Sequence, residues 1–186
     1  MKSEKENFLI DQASQTTVRI AGVATESVVD GPGIRSTVFF QGCRHACPGC
    51  HNPETWDTAG GRQVTLAELI DLLKLNPLIS GVTFSGGEPF LQAGPAAVLG
   101  NHLRKLGLNL WVYTGFTWED LMNTPDHPEN QALLEIATVV VDGPFRQQLK
   151  DLSLPFRGSA NQRLIDAQAS LAAGRVVIWS PDPGGW

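Results

Sequence analysis

From Thr17 onward, short runs rich in β-branched residues alternate with patterns typical of amphipathic helices. Strand–helix–strand alternation predicts a parallel sheet covered by helices, with right-handed crossovers. The predicted strands cover residues 18–23, 35–41, 81–84, 108–113, 138–141 and 175–179. About five or six strands are too few for a closed eight-stranded barrel. The expected fold class is therefore α/β, with a mostly parallel sheet, helices outside it, and the shape of a partial (open) barrel.

Capping residues and apolar stripes mark the helices between these runs. Thr65 and Glu68 have the spacing of a capping box, in which each residue satisfies a free amide of the other. An apolar stripe with helical spacing follows them. The other predicted helices cover residues 95–106, a short segment capped by Thr117, residues 130–136, and a segment that Asn161 begins and that runs through residue 171.

Composition and charge exclude several classes of protein. With 186 residues, 42% of them hydrophobic and 18% charged, the chain is typical of a globular domain. We expect residues 1–16 to be a polar N-terminal extension and residues 17–186 to be a single domain. The net charge of −5 argues against nucleic acid as a partner. Since no apolar run approaches the roughly 18 residues of a membrane span and no secretory core is present, we expect a cytoplasmic protein without a membrane partner.

The three cysteines lie together in one predicted loop. In a parallel sheet, ligands bind at the carboxyl ends of the strands, which points to the loops after residues 41, 84, 113 and 141. Cys43, Cys47 and Cys50 stand in the first of these loops with the spacing Cys-x3-Cys-x2-Cys. An odd number of cysteines within eight positions cannot build a disulfide framework, so the cluster indicates a metal or catalytic site.

Two inorganic centres are compatible with this loop. Zinc could take the three thiolates together with His45 or His51, although structural zinc sites usually use two separated ligand pairs. An iron–sulfur cube usually takes four cysteines, so three would leave one iron open to a substrate. The cysteine loop alone does not decide between the two.

The loop after the predicted strand 81–84 carries the second motif, Ser85-Gly86-Gly87-Glu88-Pro89. On its own, such a segment can be a strand-to-helix turn. At the carboxyl end of a strand, however, two glycines allow a ligand to come close to the backbone. The Glu88 carboxylate could then accept hydrogen bonds from an ammonium group.

The two loops together resemble those of the radical S-adenosylmethionine (SAM) enzymes. The resemblance implies that the three cysteines hold a 4Fe–4S cluster, and that SAM chelates the open iron through its amino and carboxylate groups. It implies that Gly86, Gly87 and Glu88 belong to the segment that holds the SAM amino group. It also implies that residues 17–186 form a single radical SAM domain with the shape of a partial barrel.

The same resemblance implies radical chemistry carried out by the cofactors. The reduced cluster passes one electron to the SAM sulfonium, the S–C5′ bond breaks, and a 5′-deoxyadenosyl radical removes hydrogen from the target. A low-potential external reductant is then implied, a flavodoxin or a ferredoxin. No catalytic residue beyond the cluster and SAM is implied.

Further segments narrow the resemblance to the activating enzymes of glycyl radical proteins, a group that includes the activating enzyme of pyruvate formate-lyase. Residues 26–35, 39–43 and 51–56 resemble this group. Gly49 stands where its larger members usually have an aromatic residue. Together with His45, it resembles the activating proteins of anaerobic (class III) ribonucleotide reductases. The later segments that agree are residues 112–116, 140–145 and 156–166.

This narrower resemblance covers about residues 18–179 and implies the function. The enzyme would install a glycyl radical on the large subunit of anaerobic ribonucleoside-triphosphate reductase, taking the hydrogen from a backbone glycine near the C-terminus of that subunit. Two alternatives stay open. One is activation of another glycyl radical enzyme, such as pyruvate formate-lyase. The other is a zinc-stabilised binding module without catalysis.

The resemblance also implies further contacts with SAM. The residues expected against its adenine are Gly49, the backbone of Cys50, and His51. The further candidates, at the strand ends, are Ser85, Thr114 with its neighbour Gly115, and Asp142. For Asp142, the expected contact is the SAM ribose or amine, or a bound cation. The alternative is a turn aspartate that caps its own backbone.

Overall fold

The computed structural model describes residues 15–124 and 128–181. These ranges contain one sheet of seven strands, with helices packed against it. The strands are β1 (Thr17–Ser27), β2 (Ile34–Phe40), β3 (Arg62–Thr65), β4 (Ile79–Gly86), β5 (Asn109–Tyr113), β6 (Val139–Asp142) and β7 (Arg163–Asp166). The α-helices are α1 (Leu66–Leu72), α2 (Ala93–Lys105), α3 (Trp118–Met122), α4 (Pro128–Ile136) and α5 (Ala167–Ala173).

The sheet has a parallel centre and antiparallel edges. Its strand order is β3-β1-β2-β4-β5-β6-β7, and β2, β4, β5 and β6 run parallel. β1 pairs antiparallel with β2 and β3, and β7 pairs antiparallel with β6. The α/β class is confirmed, but the sheet is mixed where the sequence predicted a mostly parallel one. The reason at β1 is the short connection at residues 28–33, which permits a hairpin and not a parallel crossover.

The two faces of the sheet bury different clusters. Along β5 and β6, Val112 and Val140 point to the helices and join the larger core, whereas Trp111, Val139 and Val141 point to the other face. This division follows from the two-residue period of a strand. The larger core includes leucines of α1, α2 and α4, so the helices cover one face and leave the other for a smaller cluster and the candidate site.

Two predicted helix caps, Thr65 and Thr117, are confirmed. Thr65 caps α1, and Glu68 returns the capping-box hydrogen bond. Thr117 caps α3 in the same way, with Asp120 as its partner. The predicted helices 95–106 and 130–136 appear as α2 and α4 with slightly different ends.

The C-terminal part of the sequence prediction is wrong. Asn161 begins no helix, because the residues that follow it form β7 and pair with β6. The helix α5 begins only after Asp166, whose side chain accepts a hydrogen bond from the Ala169 amide. The predicted strand 175–179 is reduced to a single bridge between Ile165 and Ile178. The other five predicted strands are confirmed, whereas β3 was not predicted.

Most of the predicted N-terminal extension, residues 1–14, lies outside the described residues. Thr16, at its end, already accepts a backbone hydrogen bond from Leu66 at the start of α1. Within residues 15–124 and 128–181, no helix has the length and apolar character needed to cross a membrane.

Candidate functional site

The loops after β2, β4, β5 and β6 meet around one cavity of about 630 Å³. Its position agrees with the expectation that ligands bind beyond the carboxyl ends of parallel strands. The predicted site residues that line it are Cys43, Cys47, Cys50, His51, Ser85, Gly86, Gly87, Thr114 and Gly115. The structure therefore brings the two sequence motifs into a single site. Gly49, Glu88 and Asp142 do not line the cavity.

Backbone amides surround the three half-buried, free thiols. The Asn52 amide donates to Cys50 Sγ at 3.4 Å. Burial raises the pKa of the Cys43 and Cys47 thiols, and hydrogen bonds from the backbone of His45 and Phe145, respectively, oppose this effect. Amides aimed at sulfur stabilise thiolates, and hydrogen bonds to sulfur are one means of setting the potential of an iron–sulfur cluster.

A tight turn places the second and third cysteines on the same side of the loop. The Cys50 amide donates to the Cys47 carbonyl at 3.0 Å. Gly49, between them, has a φ of +75°, which a side chain would strain. A Cβ at Gly49 would also lie 3.0 Å from the side chain of Gln147 in the loop after β6. Glycine at this position therefore shapes the loop, and its contact with adenine stays a prediction.

The side chains around the thiols suit an iron–sulfur cluster. Zinc holds its ligands at about 2.0–2.3 Å, so four side chains must converge on one point. The imidazole of His45 is directed at Glu88, at 2.9 Å. Three soft thiolate ligands around a roomy cavity fit an iron–sulfur cluster.

Glu88 is buried beneath the site, with only 1% of its side chain exposed. It accepts hydrogen bonds from the amides of Phe90 and Gly115, at 3.0 and 2.9 Å, and from the Thr114 hydroxyl at 2.9 Å. His45 Nε2 lies 2.9 Å from its Oε2. Four protein groups thus meet a carboxylate with about four lone-pair sites. The structure gives Glu88 the role of joining the loops after β2, β4 and β5.

Gly86 and Gly87 let the end of β4 lie directly against the end of β2 and the start of the cysteine loop. Gly86 has a φ of +86°, and a Cβ there would lie 2.7 Å from Phe39 Cα. A Cβ on Gly87 would lie 2.4 Å from the Gly42 carbonyl oxygen. The Glu88 amide donates to that same oxygen at 2.8 Å. Any larger residue would separate the two motifs, which explains both glycines without a ligand and leaves their backbone open to the cavity.

Asp142 is buried at the end of β6 and is bonded to its neighbours. It forms an ion pair with Arg163 and accepts a hydrogen bond from the Trp118 amide at 2.8 Å, at the start of α3. Arg163 also contacts Glu119 at 2.7 Å. The hydrogen bonds with Asp142 and Glu119 raise the pKa of the Arg163 guanidinium further above its usual value. Asp142 thus caps a neighbouring helix, and its contact with SAM stays a prediction.

The outer wall of the cavity is formed by residues that were not predicted as site residues. Val28, Val29 and Asp30 line it on one side, and residues 143–158 contribute Gly143 and Leu152 on the other. Part of each side lies in a segment that resembles the activating enzymes, residues 26–35 and 140–145, and this resemblance is the signal that could have found them. Val28, Val29 and Leu152 are 66%, 71% and 81% exposed, so apolar side chains surround the entrance.

Comparison with known proteins identifies the class. A family model described as a 4Fe–4S single cluster domain matches residues 29–165, and the chain belongs to this family. Within it, the chain is 36% identical over 144 residues to the anaerobic ribonucleoside-triphosphate reductase-activating protein of Escherichia coli (strain K12), a match of 73% of this chain and 90% of that protein. It is 38% identical over 143 residues to the protein of that name from Vibrio cholerae, covering 73% of this chain and 89% of the relative. These matches confirm the resemblance, and with it the 4Fe–4S and SAM cofactors, expected from the sequence.

Two further matches are more limited. The pyruvate formate-lyase-activating enzyme of Clostridium pasteurianum is 52% identical over 79 residues, which are 40% of this chain and 33% of that enzyme. Among solved structures, QueE from Escherichia coli matches with a TM-score of 0.47 and 18% identity, over 63% of this chain and 58% of the other.

Proposed function

We propose that this chain is a radical SAM enzyme that installs a glycyl radical on the large subunit of an anaerobic ribonucleoside-triphosphate reductase. The observation that carries the proposal is the meeting of the cysteine loop and the Gly86–Gly87 backbone at one cavity. The relatives that share the chain over about nine tenths of their length are named as activating proteins of this reductase.

The residues around the cavity have distinct proposed roles. The cluster would be held by Cys43, Cys47 and Cys50, with their thiolates stabilised by backbone amides. The SAM contacts would be Gly49, the Cys50 backbone, His51, Ser85, Gly86, Gly87 and Thr114. Glu88 holds the surrounding loops together, and Asp142 holds the start of α3. Their predicted contacts with SAM, at its amino group for Glu88, belong to the proposal as well.

The protein groups position the reactants and exclude water, and the cofactors carry the chemistry. When bound, the cluster and SAM supply the radical chemistry: one electron from an external reductant cleaves SAM to methionine, and the hydrogen of the glycine Cα ends on 5′-deoxyadenosine. The Tyr113 hydroxyl donates to the Phe156 carbonyl at 2.7 Å and so ties the outer loop to the end of β5. Its burial raises the pKa of the phenol well above the usual range, so it stays a neutral donor.

The proposal extends to the partners and the location of the protein. We place the sheet in a single radical SAM domain, residues 17–186, with the shape of a partial barrel whose open side admits a loop of the reductase. The exposed Val28, Val29 and Leu152 would contact that loop. The proposed reductant is a flavodoxin or a ferredoxin, and the proposed location is the cytoplasm, where free cysteines stay reduced.

The test is low-temperature electron paramagnetic resonance (EPR) spectroscopy of the anaerobically reconstituted, reduced protein, with and without SAM. We expect a reduced 4Fe–4S signal that changes on addition of SAM, and then a glycyl radical signal when the reductase is added. Variants with alanine at any of the three cysteines should give neither response. A signal that is indifferent to SAM, or full activity in a cysteine variant, would contradict the proposal.

The second candidate target is pyruvate formate-lyase, because 79 residues of the chain are 52% identical to an activating enzyme of that protein. The same EPR experiment with pyruvate formate-lyase in place of the reductase separates the two. A glycyl radical on the lyase alone would transfer the proposal to that target.

A further inference from the structure

His45 lies between two recesses of the protein surface. Its side chain lines the cluster cavity together with the cysteines, and it also lines a second recess formed with Phe116, Asp120 and Arg146. The ring is 20% exposed and stands in the loop between Cys43 and Cys47. His45 and Gly115 line both recesses, so the imidazole stands between the proposed cluster site and an outer recess that opens to solvent.

Contacts on several sides hold this imidazole in place. Its Nε2 lies 2.9 Å from the buried carboxylate of Glu88. The ring of Phe116 packs edge-on against it, with the ring centroids 4.6 Å apart. A Cβ on Gly115 would lie 2.4 Å from the Cδ2 of the imidazole, so this position has room for glycine only. The carboxylate that fixes the ring is itself fixed by the Thr114 hydroxyl and the Gly115 amide.

We propose that the side chain of His45 closes the wall between the cluster cavity and the outer recess. This inference rests on the cluster of the proposed function. The shell of side chains packed around a metal centre controls solvent access and, through it, the reduction potential. A cluster with an open iron is especially sensitive to such access, because water and oxygen can reach the iron directly. His45 keeps the recess side closed, while the entrance beside Val28 and Val29 stays open for substrate.

The choice of histidine follows from both of its contacts. A ring of this size fills the gap between Gly115 and Phe116. Its nitrogen satisfies a carboxylate that is 1% exposed, and that would otherwise lack one hydrogen-bond partner. Alanine would remove both the ring and the hydrogen bond. Glutamine keeps a donor and much of the volume.

The experiment compares His45→Ala, His45→Gln and the wild-type protein after anaerobic reconstitution to equal iron content. Two quantities are measured: the rate at which air bleaches the visible absorbance of the cluster, and the midpoint potential of the cluster. We expect His45→Ala to bleach faster, by about tenfold, which is the lower end of what loss of an outer-shell partner costs in metal affinity or activity. Its potential should be more positive, since water stabilises the more negatively charged reduced form. His45→Gln should restore both values towards those of the wild type.

The matched control is Arg44→Ala, an exposed neighbour in the same loop, which should match the wild type.

Phe116→Ala provides an independent test, because it opens the wall from the recess side and leaves the cysteine loop unchanged. It should also accelerate bleaching, and it decides the question if His45→Ala takes up no iron. A wild-type rate and potential in both His45→Ala and Phe116→Ala would overturn this inference and leave the proposed function intact. A wild-type protein that binds no cluster would overturn the proposed function and this inference with it.

Discussion

Asp142 shows how much a single residue's surroundings decide its role. A carboxylate at the carboxyl end of a parallel strand is a natural candidate for a ligand contact. Here it is 1% exposed and is bonded to Arg163 and to the first amide of α3. These bonds make it part of the frame that holds the loop after β5. Its contact with SAM stays a prediction.

Removing the arginine from this pair should destabilise the protein strongly. Arg163→Ala leaves the Asp142 carboxylate buried without its cation, which should lower the free energy of unfolding by about 3 kcal/mol. The matched control is Glu119→Ala, which removes the exposed partner of the same arginine and should cost less than about 1 kcal/mol. Anaerobic urea unfolding of both variants, at equal iron content, measures the difference. Equal losses in the free energy of unfolding would show that the pair with Asp142 stabilises the protein no more than the exposed pair with Glu119.

At the scale of the elements, the site depends on two neighbouring strands that end side by side. β2 and β4 are parallel, and Phe40 is paired in register with Gly86 at their carboxyl ends. The cysteine loop follows β2, and the Gly86–Gly87 turn ends β4. Their shared hydrogen bond, from the Glu88 amide to the Gly42 carbonyl, is 2.8 Å long.

Gly87→Ala should separate these two loops. Its Cβ would lie 2.4 Å from the Gly42 carbonyl oxygen, a backbone atom that cannot swing away. We expect a loss of about 2 kcal/mol in stability, as for overpacking elsewhere, together with weaker binding of SAM. Calorimetric titration with SAM and thermal unfolding give the two measurements.

Gly22→Ala is the control for this variant. It lies in β1, and a Cβ there meets no atom within 4 Å. Its effect on stability should stay within about 0.5 kcal/mol. Unchanged SAM affinity in Gly87→Ala would mean that the close approach of the two loops is not needed for binding.

The sequence predicts the elements whose signals are local. The capping residues Thr65 and Thr117 define their helices correctly because a cap depends on residues within one turn. β7 was not predicted, since its four residues become a strand only by pairing with β6 from more than twenty positions away. The same dependence on distant partners explains why 175–179 was predicted as a full strand and is reduced to one bridge.

The candidate site divides in the same way. Spacing within one loop identifies the three cysteines, and they do line one cavity. The surroundings of Glu88 could not be predicted, because its partners come from the cysteine loop and from the loop after β5. A short motif shows that a carboxylate is present; only the fold shows whether it faces the ligand or the protein interior.

At the scale of the whole molecule, the apolar core and the candidate site are formed by different parts of the chain. The larger apolar core joins the helices to one face of the sheet. The cavity is lined mainly by loops, which lie outside the strand pairing and the larger core and are joined by bonds such as those of Glu88 and the Tyr113–Phe156 contact. A ligand that bridges these loops should therefore stabilise them more than it stabilises the sheet.

Removal of the cluster should loosen the loops and leave the sheet protected. We expect hydrogen–deuterium exchange to rise in residues 42–52, 114–117 and 143–158 when a chelator removes iron anaerobically. Exchange in β2, β4 and β5 should stay nearly constant, because their amides are protected by strand pairing and by the apolar core. Mass spectrometry of peptic fragments, before and after chelation, measures both regions in one sample. A uniform rise that includes the central strands would mean that the cluster is needed for the fold itself, and that core and site are not separate.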